Sequence, residues 1–374
     1  VVQNFAQAYI EIDDKMDREK FEKAQNDRRT LVAAPALPLT LIEPLAPSPD
    51  FAQVGSTAWG VTAVGAESSP FTGAGVTVAV LDSGIDANHP AFKGVKLEPK
   101  NFTGVGSDDD VSDTRGHGTH CAGTLFGRDV DGLRIGVARG VKKALIGKVL
   151  GFGGGSSAKL CQAIMWAVEE DANVISMSLG IDFPGWVKEL VEKDGLRVPH
   201  ATSLALEQYR ANIRLFDGLS GIVSSRADVG TQTALIIAAS GNASGRDATP
   251  PYAINVEPPA ASVGVVAVGA LGQAKGGLRI APFSNTRPDV AAPGVNIMSA
   301  DFGVKTCCPK SGTSMATPHV AGVAALWAEK LAKDGQLNPL ALQSKLIGSG
   351  VMKDLAPHTS PVDVGQGLVQ APAE

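Results

Sequence analysis

Short runs of β-branched and small apolar residues recur along the chain, each closed by polar residues and glycine. "GVTVAVLDSG" (75–84), "KALIGKVLG" (143–151), "NVISMSLG" (173–180), "TALIIAASGN" (233–242) and "VGVVAVGAL" (263–271) are short and nearly continuous. They read as buried strands. Between them, "AKLCQAIMWAVEED" (158–171) has helical spacing, with Leu160, Ile164 and Ala167 on one side, and "ATSLALEQYRANIRLFDGL" (201–219) reads as a second helix. Strands alternating with helices predict parallel βαβ units, hence an α/β fold around a mostly parallel sheet. Such sheets bind ligands at the carboxyl ends of their strands, near a switch in strand order. Three predicted strands end in Asp82-Ser83-Gly84, Ser178-Leu179-Gly180 and Ser240-Gly241-Asn242. That edge is where a site is expected.

The first 46 residues break the pattern. "DDKMDREKFEKAQNDRR" (13–29) is charged and helix-prone, and "APALPLTLIEPLAPSPD" (34–50) carries prolines at 35, 38, 44, 47 and 49. Proline blocks helix and sheet interiors, so this stretch is expected to be an extended linker or a strand-like strap. The division is an N-terminal extension over 1–46 and a main domain over 47–374, with no internal repeat.

Composition narrows the function. Of 374 residues, 44% are hydrophobic and 19% charged, with 43 glycines. That suits a large core with tight turns. A net charge of −5 argues against nucleic-acid partners. No run of 18 apolar residues suggests a membrane span. The chain opens at Val1 rather than Met, so residues are expected to precede it. The cysteines at 121, 161, 307 and 308 are too sparse for a disulfide framework and form no CxxC zinc pair. Secreted and intracellular settings both stay open.

Two motifs carry candidate chemistry. "DTRGHGTHCAGT" (113–124) sets His117 and His120 three apart behind glycines. The HExxH metal pattern is absent, and spacing alone does not choose between the two as a base. "KSGTSMATPHVAG" (310–322) starts a helix with four hydroxyls, Ser311, Thr313, Ser314 and Thr317. Pro318 is expected within about the first turn, where a missing N–H costs little. A serine hydroxyl needs a base to become a nucleophile, and a histidine base needs a carboxylate to fix its tautomer. The chain supplies Asp82 at a strand end, histidine at a Gly-flanked helix start and Ser314 at another. The Ser314 N–H and the Asn242 amide are oxyanion donors by type.

"AVLDSGID", "GHGTHCAGT", "MSLG", "AASGN" and "GTSMATPHVAG", with "APGVNIMSA" and "VGQGLVQA", resemble the signature blocks of the subtilisin-like serine proteases over about residues 47–371. The resemblance implies a three-layer αβα fold with a mostly parallel central sheet. It implies a serine endopeptidase working through an acyl-enzyme, with Asp82 as orienting acid, His117 as base, Ser314 as nucleophile and Asn242 as oxyanion donor. It implies a peptide substrate bound as an extended strand between Gly154, Gly155, Ser156 on one edge and Ser178, Leu179, Gly180 on the other. Ala239, Ser240 and Gly241 would line the pocket for the residue before the scissile bond. No cofactor is needed for this chemistry. Two other readings are an acyl transfer to an amine, as in peptide cyclisation, and a catalytically silent peptide-binding scaffold.

The chain also departs from the family pattern. "IDFPGWVKELVEKDGLRVPH" (181–200) is a surplus after the substrate-pairing strand, expected to rim the cleft. The family's calcium site looks eroded, with Ala91 in place of an acidic residue. Asp108, Asp109, Asp110, Asp129 and Asp131 are the remaining calcium candidates. Counting back from "VVAVGA", Glu257 falls near the base of the specificity pocket, where a carboxylate would favour Lys or Arg. "LTLIEPLAP" has two readings: an extended strand in the cleft, with proline blocking productive cleavage and the extension autoinhibitory, or a strap docked elsewhere.

Overall fold

Alternate side chains of the central strands part into two cores. Val78 and Val80 pack with Leu125, Phe126 and Val320, whereas Ala79 and Leu81 pack with Leu160, Ile164 and Phe216. Ala144 and Ile146 face the first core, and Leu145 the second. Val174, Leu235 and Ile237 join the first, and Ile175, Met177, Ile236 and Ala238 the second. A sheet covered on both faces needs apolar residues at every position, which is why these strands read as continuous runs rather than alternating ones.

The computed structural model describes residues 9–13, 16–48, 51–228 and 234–373. Parts of the helix-prone and proline-rich readings, at 1–8, 14–15 and 49–50, lie outside the described residues. The elements are α1 (Arg18–Asn26), β1 (Pro38–Leu41), α2 (Trp59–Ala63), β2 (Thr77–Asp82), β3 (Lys96–Asn101), α3 (His117–Phe126), β4 (Lys143–Lys148), β5 (Gly155–Ser156), α4 (Ser157–Glu169), β6 (Val174–Met177), β7 (Leu179–Gly180), α5 (Phe183–Glu192) and α6 (Val198–Asp228). They continue with β8 (Leu235–Ala239), β9 (Val265–Ala274), β10 (Gly277–Ile280), β11 (Val290–Pro293), β12 (Ile297–Ala300), β13 (Cys307–Lys310), α7 (Thr313–Lys333), α8 (Pro339–Gly348) and α9 (Pro361–Val364). The main sheet has the order β10-β9-β8-β6-β2-β4-β3, with β11 also on β9. All its pairings are parallel except β10 with β9. Helices α3 and α7 cover one face and α4 and α6 the other, giving three layers. No helix among the described residues is long and apolar enough to cross a membrane.

After β4 the chain crosses from one side of β2 to the other, so the strand order switches at β2. The carboxyl ends of β2, β6 and β8 therefore stand side by side at a ready-made crevice.

Three elements differ from the sequence reading. The strand expected over 173–180 breaks at Ser178. Residues 174–177 stay in the main sheet, and Leu179–Gly180 turns away to pair with β1. The helix expected over 201–219 runs from 198 to 228 as one element. Pro318 is the sixth residue of α7, inside the helix rather than in its first turn. Its missing N–H frees the Ser314 carbonyl, which instead accepts from Ser178 Oγ (3.1 Å) and Cys121 Sγ (3.3 Å). The surplus region after β7 is not remote from the cleft. Asp182 caps α5 directly after β7, and α5 packs on α6 through Phe183 against Tyr209 and Trp186 Nε1 bonding Gln208 Oε1 (2.7 Å).

His319, also on α7, is fully buried. Its Nδ1 donates to the Met315 carbonyl at 2.8 Å, and a Cβ on Gly60 would collide with its Nε2. Burial pushes its pKa down to about 4. The unfolded chain, with histidine near 6.5, then binds more protons below that pH than the fold does. Stability is expected to fall as pH drops from about 6.5 to 4, by roughly 3 kcal/mol from this group. Urea unfolding of wild type and His319→Met at pH 7 and 4.5 checks this; an equal pH loss in both would refute it.

Candidate active site

Asp82 is the last residue of β2 and His117 the first of α3. Both are buried, and His117 Nδ1 lies 2.7 Å from Asp82 Oδ1. The approach is close because the helix start carries no side chain where it meets the strand. A Cβ on Gly118 would strike the Gly84 carbonyl and stand 3.2 Å from Asp82 Cβ. Ser83 N–H donates to the same Asp82 oxygen at 2.7 Å. Burial disfavours the imidazolium, but the facing Asp82 carboxylate outweighs it and holds His117 well above its usual pKa. His117 Nε2 has no hydrogen-bond partner among the described residues.

The geometry separates the two histidines that spacing left equal. His120 Nε2 faces the carbonyls of Ile297 (2.9 Å) and Cys308 (3.2 Å), and burial holds its pKa well below the usual range. It is a neutral structural group bonded away from the cleft.

The four hydroxyls also separate. Ser311 Oγ accepts from Asn296 N–H (2.9 Å), and Thr317 Oγ1 bonds back to the Thr313 carbonyl (2.9 Å). Thr313 Oγ1 and N–H both donate to Asn242 Oδ1 at 2.9 Å. That pins the amide so that Nδ2 faces the cleft. Ser314 Oγ, second in α7, is the hydroxyl that reaches across the cleft, to the Ile42 carbonyl at 3.0 Å. Its own N–H lies in the first turn, where the helix supplies no acceptor. A Cβ on Gly312 would stand 3.0 Å from Asn242 Nδ2, so glycine keeps this corner open.

The N-terminal segment runs the length of the cleft. Leu37 exchanges hydrogen bonds with Ser157 (3.0 and 2.9 Å), and Asn212 Nδ2 of α6 donates to the Pro35 carbonyl (2.9 Å). β1 is the middle strand of an antiparallel trio, between β5 and β7. Pro38 pairs with Ser156, Leu39 with Gly155, Thr40 with Gly180 and Leu41 with Leu179. A Cβ on Gly154 would stand 2.7 Å from the Leu39 carbonyl. Beyond Ile42, Asn242 Nδ2 donates to the Glu43 carbonyl (3.0 Å), Arg115 pairs with Glu43, and Leu45 exchanges bonds with Ser311 (2.7 and 3.2 Å).

Five of the expected wall residues border the N-terminal strand directly. Gly154, Gly155 and Ser156 form one edge, and Leu179 and Gly180 the other, while Ser178 turns its hydroxyl to the Ser314 carbonyl. Ala239 ends β8, and Ser240 and Gly241 follow it. Gly241 N–H bonds Thr313 Oγ1 (3.3 Å), and Ser240 N–H bonds the Val268 carbonyl (3.0 Å). Glu257 stands behind them. Its N–H donates to the Ser240 carbonyl (3.2 Å), and a Cβ on Gly241 would lie 2.8 Å from its Cδ.

One organising residue was not singled out from sequence. Buried Asp113 accepts from Ser83 Oγ, Arg115 N–H, Gly116 N–H, and both Thr119 N–H and Oγ1, at 2.6–3.0 Å. Burial raises its pKa, but these bonds win and lower it. It ties the end of β2 to the start of α3. Its place four residues before His117, opening the glycine loop, was the available signal. The acidic calcium candidates do not converge into a three-ligand group among the described residues; Asp82, His117 and Cys121 do.

The chain matches the Subtilase family over residues 73–367. It is 34% identical over 302 residues to the major intracellular serine protease of Bacillus subtilis (strain 168), covering 79% of each chain. It is 34% identical over 322 residues to a cuticle-degrading serine protease of Arthrobotrys oligospora (strain ATCC 24927 / CBS 115.81 / DSM 1491), covering 80% of this chain and 65% of that one. It is 33% identical over 282 residues to subtilisin Savinase of Lederbergia lenta, covering 74% of this chain and 85% of that one.

Proposed function

We propose that this chain, which belongs to the subtilase family and is a serine-type endopeptidase, cleaves peptides through an acyl-enzyme on Ser314 and is held inactive by its own N-terminal segment. The buried 2.7 Å contact between Asp82 and His117 carries the first part. A carboxylate fixed on Nδ1 leaves Nε2 as the base and stabilises the imidazolium formed when it takes a proton. Ser314 Oγ attacks the scissile carbonyl, and His117 takes its proton and passes it to the leaving amine. The Ser314 N–H and Asn242 Nδ2 hold the oxyanion, with Thr313 keeping that amide oriented. Two strand edges, Gly155–Ser156 and Leu179–Gly180, take the substrate backbone as an added strand, so specificity rests on side-chain pockets.

The second part rests on where the N-terminal strand lies. It fills the substrate's place but in an unreactive arrangement. Ser314 Oγ donates its proton to the Ile42 carbonyl rather than to His117, and Asn242 serves the next carbonyl, that of Glu43. The carbonyl nearest the nucleophile thus lacks this oxyanion donor. Pro44 follows directly, removing a backbone N–H on the leaving side. Leu39 and Leu41 are buried and anchor the strand.

Reaction of the full chain with a fluorophosphonate tests both parts. The adduct is expected on Ser314, forming slowly in wild type. Leu39→Asp, which places a charge where a buried leucine anchors the strand, is expected to speed labelling and raise kcat/KM by roughly 10- to 100-fold. Absence of an adduct in both proteins would sink the enzyme mechanism. Equal rates in the two would sink the inhibition.

A further inference from the structure

We infer that Glu257 makes the enzyme select a lysine or arginine side chain at the substrate residue preceding the scissile bond. This rests on the protease reading above and adds the substrate class to it. The carboxylate sits between the two walls of the pocket for that residue. On one wall, a Cβ on Gly180 would collide with Glu257 Oε1; on the other, a Cβ on Gly241 would lie 2.8 Å from its Cδ and 3.0 Å from Oε1. Glycine at both places lets the carboxylate border the space where a substrate side chain enters. The backbone is fixed as well as the side chain. Glu257 N–H bonds the Ser240 carbonyl (3.2 Å), and the next residue's carbonyl accepts from Ile181 N–H (3.0 Å), just past β7.

The carboxylate has no cationic partner among the described residues. The charged and titratable groups facing it are Asp182, at the start of α5, and Tyr209, on α6, and neither supplies a positive charge. Burial, then the Asp182 charge, push its pKa up to about 8. A largely buried acid without a counter-ion is costly to ionise, and an entering cation reverses that cost. The inhibitory strand leaves the carboxylate unpaired, because the residue it presents beside the nucleophile is Ile42, short and uncharged. The Asp182 charge that acts on Glu257 adds to the preference for a basic side chain.

The test uses the full chain and a series of peptides differing only in Arg, Lys, Leu or Phe before the cleaved bond. The ratio of kcat/KM values within the series is independent of how often the N-terminal strand is displaced, since that fraction multiplies every member equally. At pH 9 the Arg-to-Leu ratio is expected to be about 10² or more, and to collapse by a similar factor in Glu257→Gln. Because the acid ionises near pH 8, the wild-type ratio should rise between pH 6.5 and 8.5 and then level. In Glu257→Gln it should be flat, a difference that a merely structural role would not produce. A wild-type preference for Leu or Phe at pH 9, or a ratio untouched by Glu257→Gln, overturns the inference while leaving the protease intact. Failure of both the full chain and its strand-releasing Leu39→Asp variant to cleave any peptide overturns both.

Discussion

Ser314→Ala is expected to lower kcat by a factor on the order of 10⁶, the loss seen when a triad of this type loses its nucleophile. The size follows from what remains. In the proposed mechanism no acyl-enzyme forms without Oγ, and His117 would only assist a water molecule. The strand edges proposed to bind substrate are unchanged, so KM should move little. On the proposed mechanism the Asn242 amide and the residue-314 N–H would still stabilise an oxyanion, setting a residual rate above that in water. Asn242→Ala is expected to cost less, about 10²–10³, because one of two donors is lost while the covalent route survives. Steady-state kinetics of the two variants at saturating peptide check the ordering. A Ser314→Ala enzyme within tenfold of wild type would place the nucleophile elsewhere. The other hydroxyls of the segment are engaged in holding it together: Ser311 with Asn296, Thr313 with Asn242, and Thr317 with the helix backbone.

The strands and their polar ends were legible because burial on both faces forces continuous apolar runs. The three adjacent strand ends carrying Asp82, Ser178 and Asn242 could therefore be placed at one edge before any geometry was known. The histidine that pairs with Asp82 was not legible from spacing. The choice depends on which ring meets a carbonyl and which meets a carboxylate, and His120 is consumed by Ile297 and Cys308. Asp113 escaped notice because its partners are mostly backbone N–H groups, which have no sequence signature. The break at Ser178 was equally hidden. An apolar run reads the same whether it continues in one sheet or leaves it to join β1, and the difference lies in long-range pairing. Pro318 was misplaced for a related reason. The local cost of a proline in a helix is visible in sequence, but the outside donors that offset it, Ser178 and Cys121, lie on distant segments. The N-terminal strap was readable as extended from its prolines. Its depth in the cleft comes from Leu37, Leu39 and Leu41, which join the same core as β6 and α4.

Asp82→Asn is expected to lower kcat/KM by about 10⁴ with little change in fold. The amide is nearly isosteric, but Asp82 Oδ1 serves both His117 Nδ1 and the Ser83 N–H, each at 2.7 Å, so an NH₂ in its place forfeits the Ser83 bond. What changes is the partner of His117. An amide can present its NH₂ to Nδ1, which moves the imidazole proton to Nε2 and leaves the wrong tautomer facing Ser314. The imidazolium also loses its counter-charge. These two losses separate in the pH profile. In wild type the carboxylate holds the His117 pKa well above the usual 6.5, against burial. The base is deprotonated only as pH rises through that raised value, so the acid limb of kcat/KM lies above pH 6.5. In Asp82→Asn burial acts unopposed by a carboxylate, the imidazole gives up its proton at lower pH, and the acid limb should move downward while the plateau falls. Rates from pH 5 to 10 on one peptide measure both. If the plateau fell without a downward shift of the limb, tautomer and orientation would be Asp82's whole contribution and its charge would add nothing. If neither changed, the 2.7 Å contact with His117 would be structural, and the base of the reaction would have to be sought elsewhere.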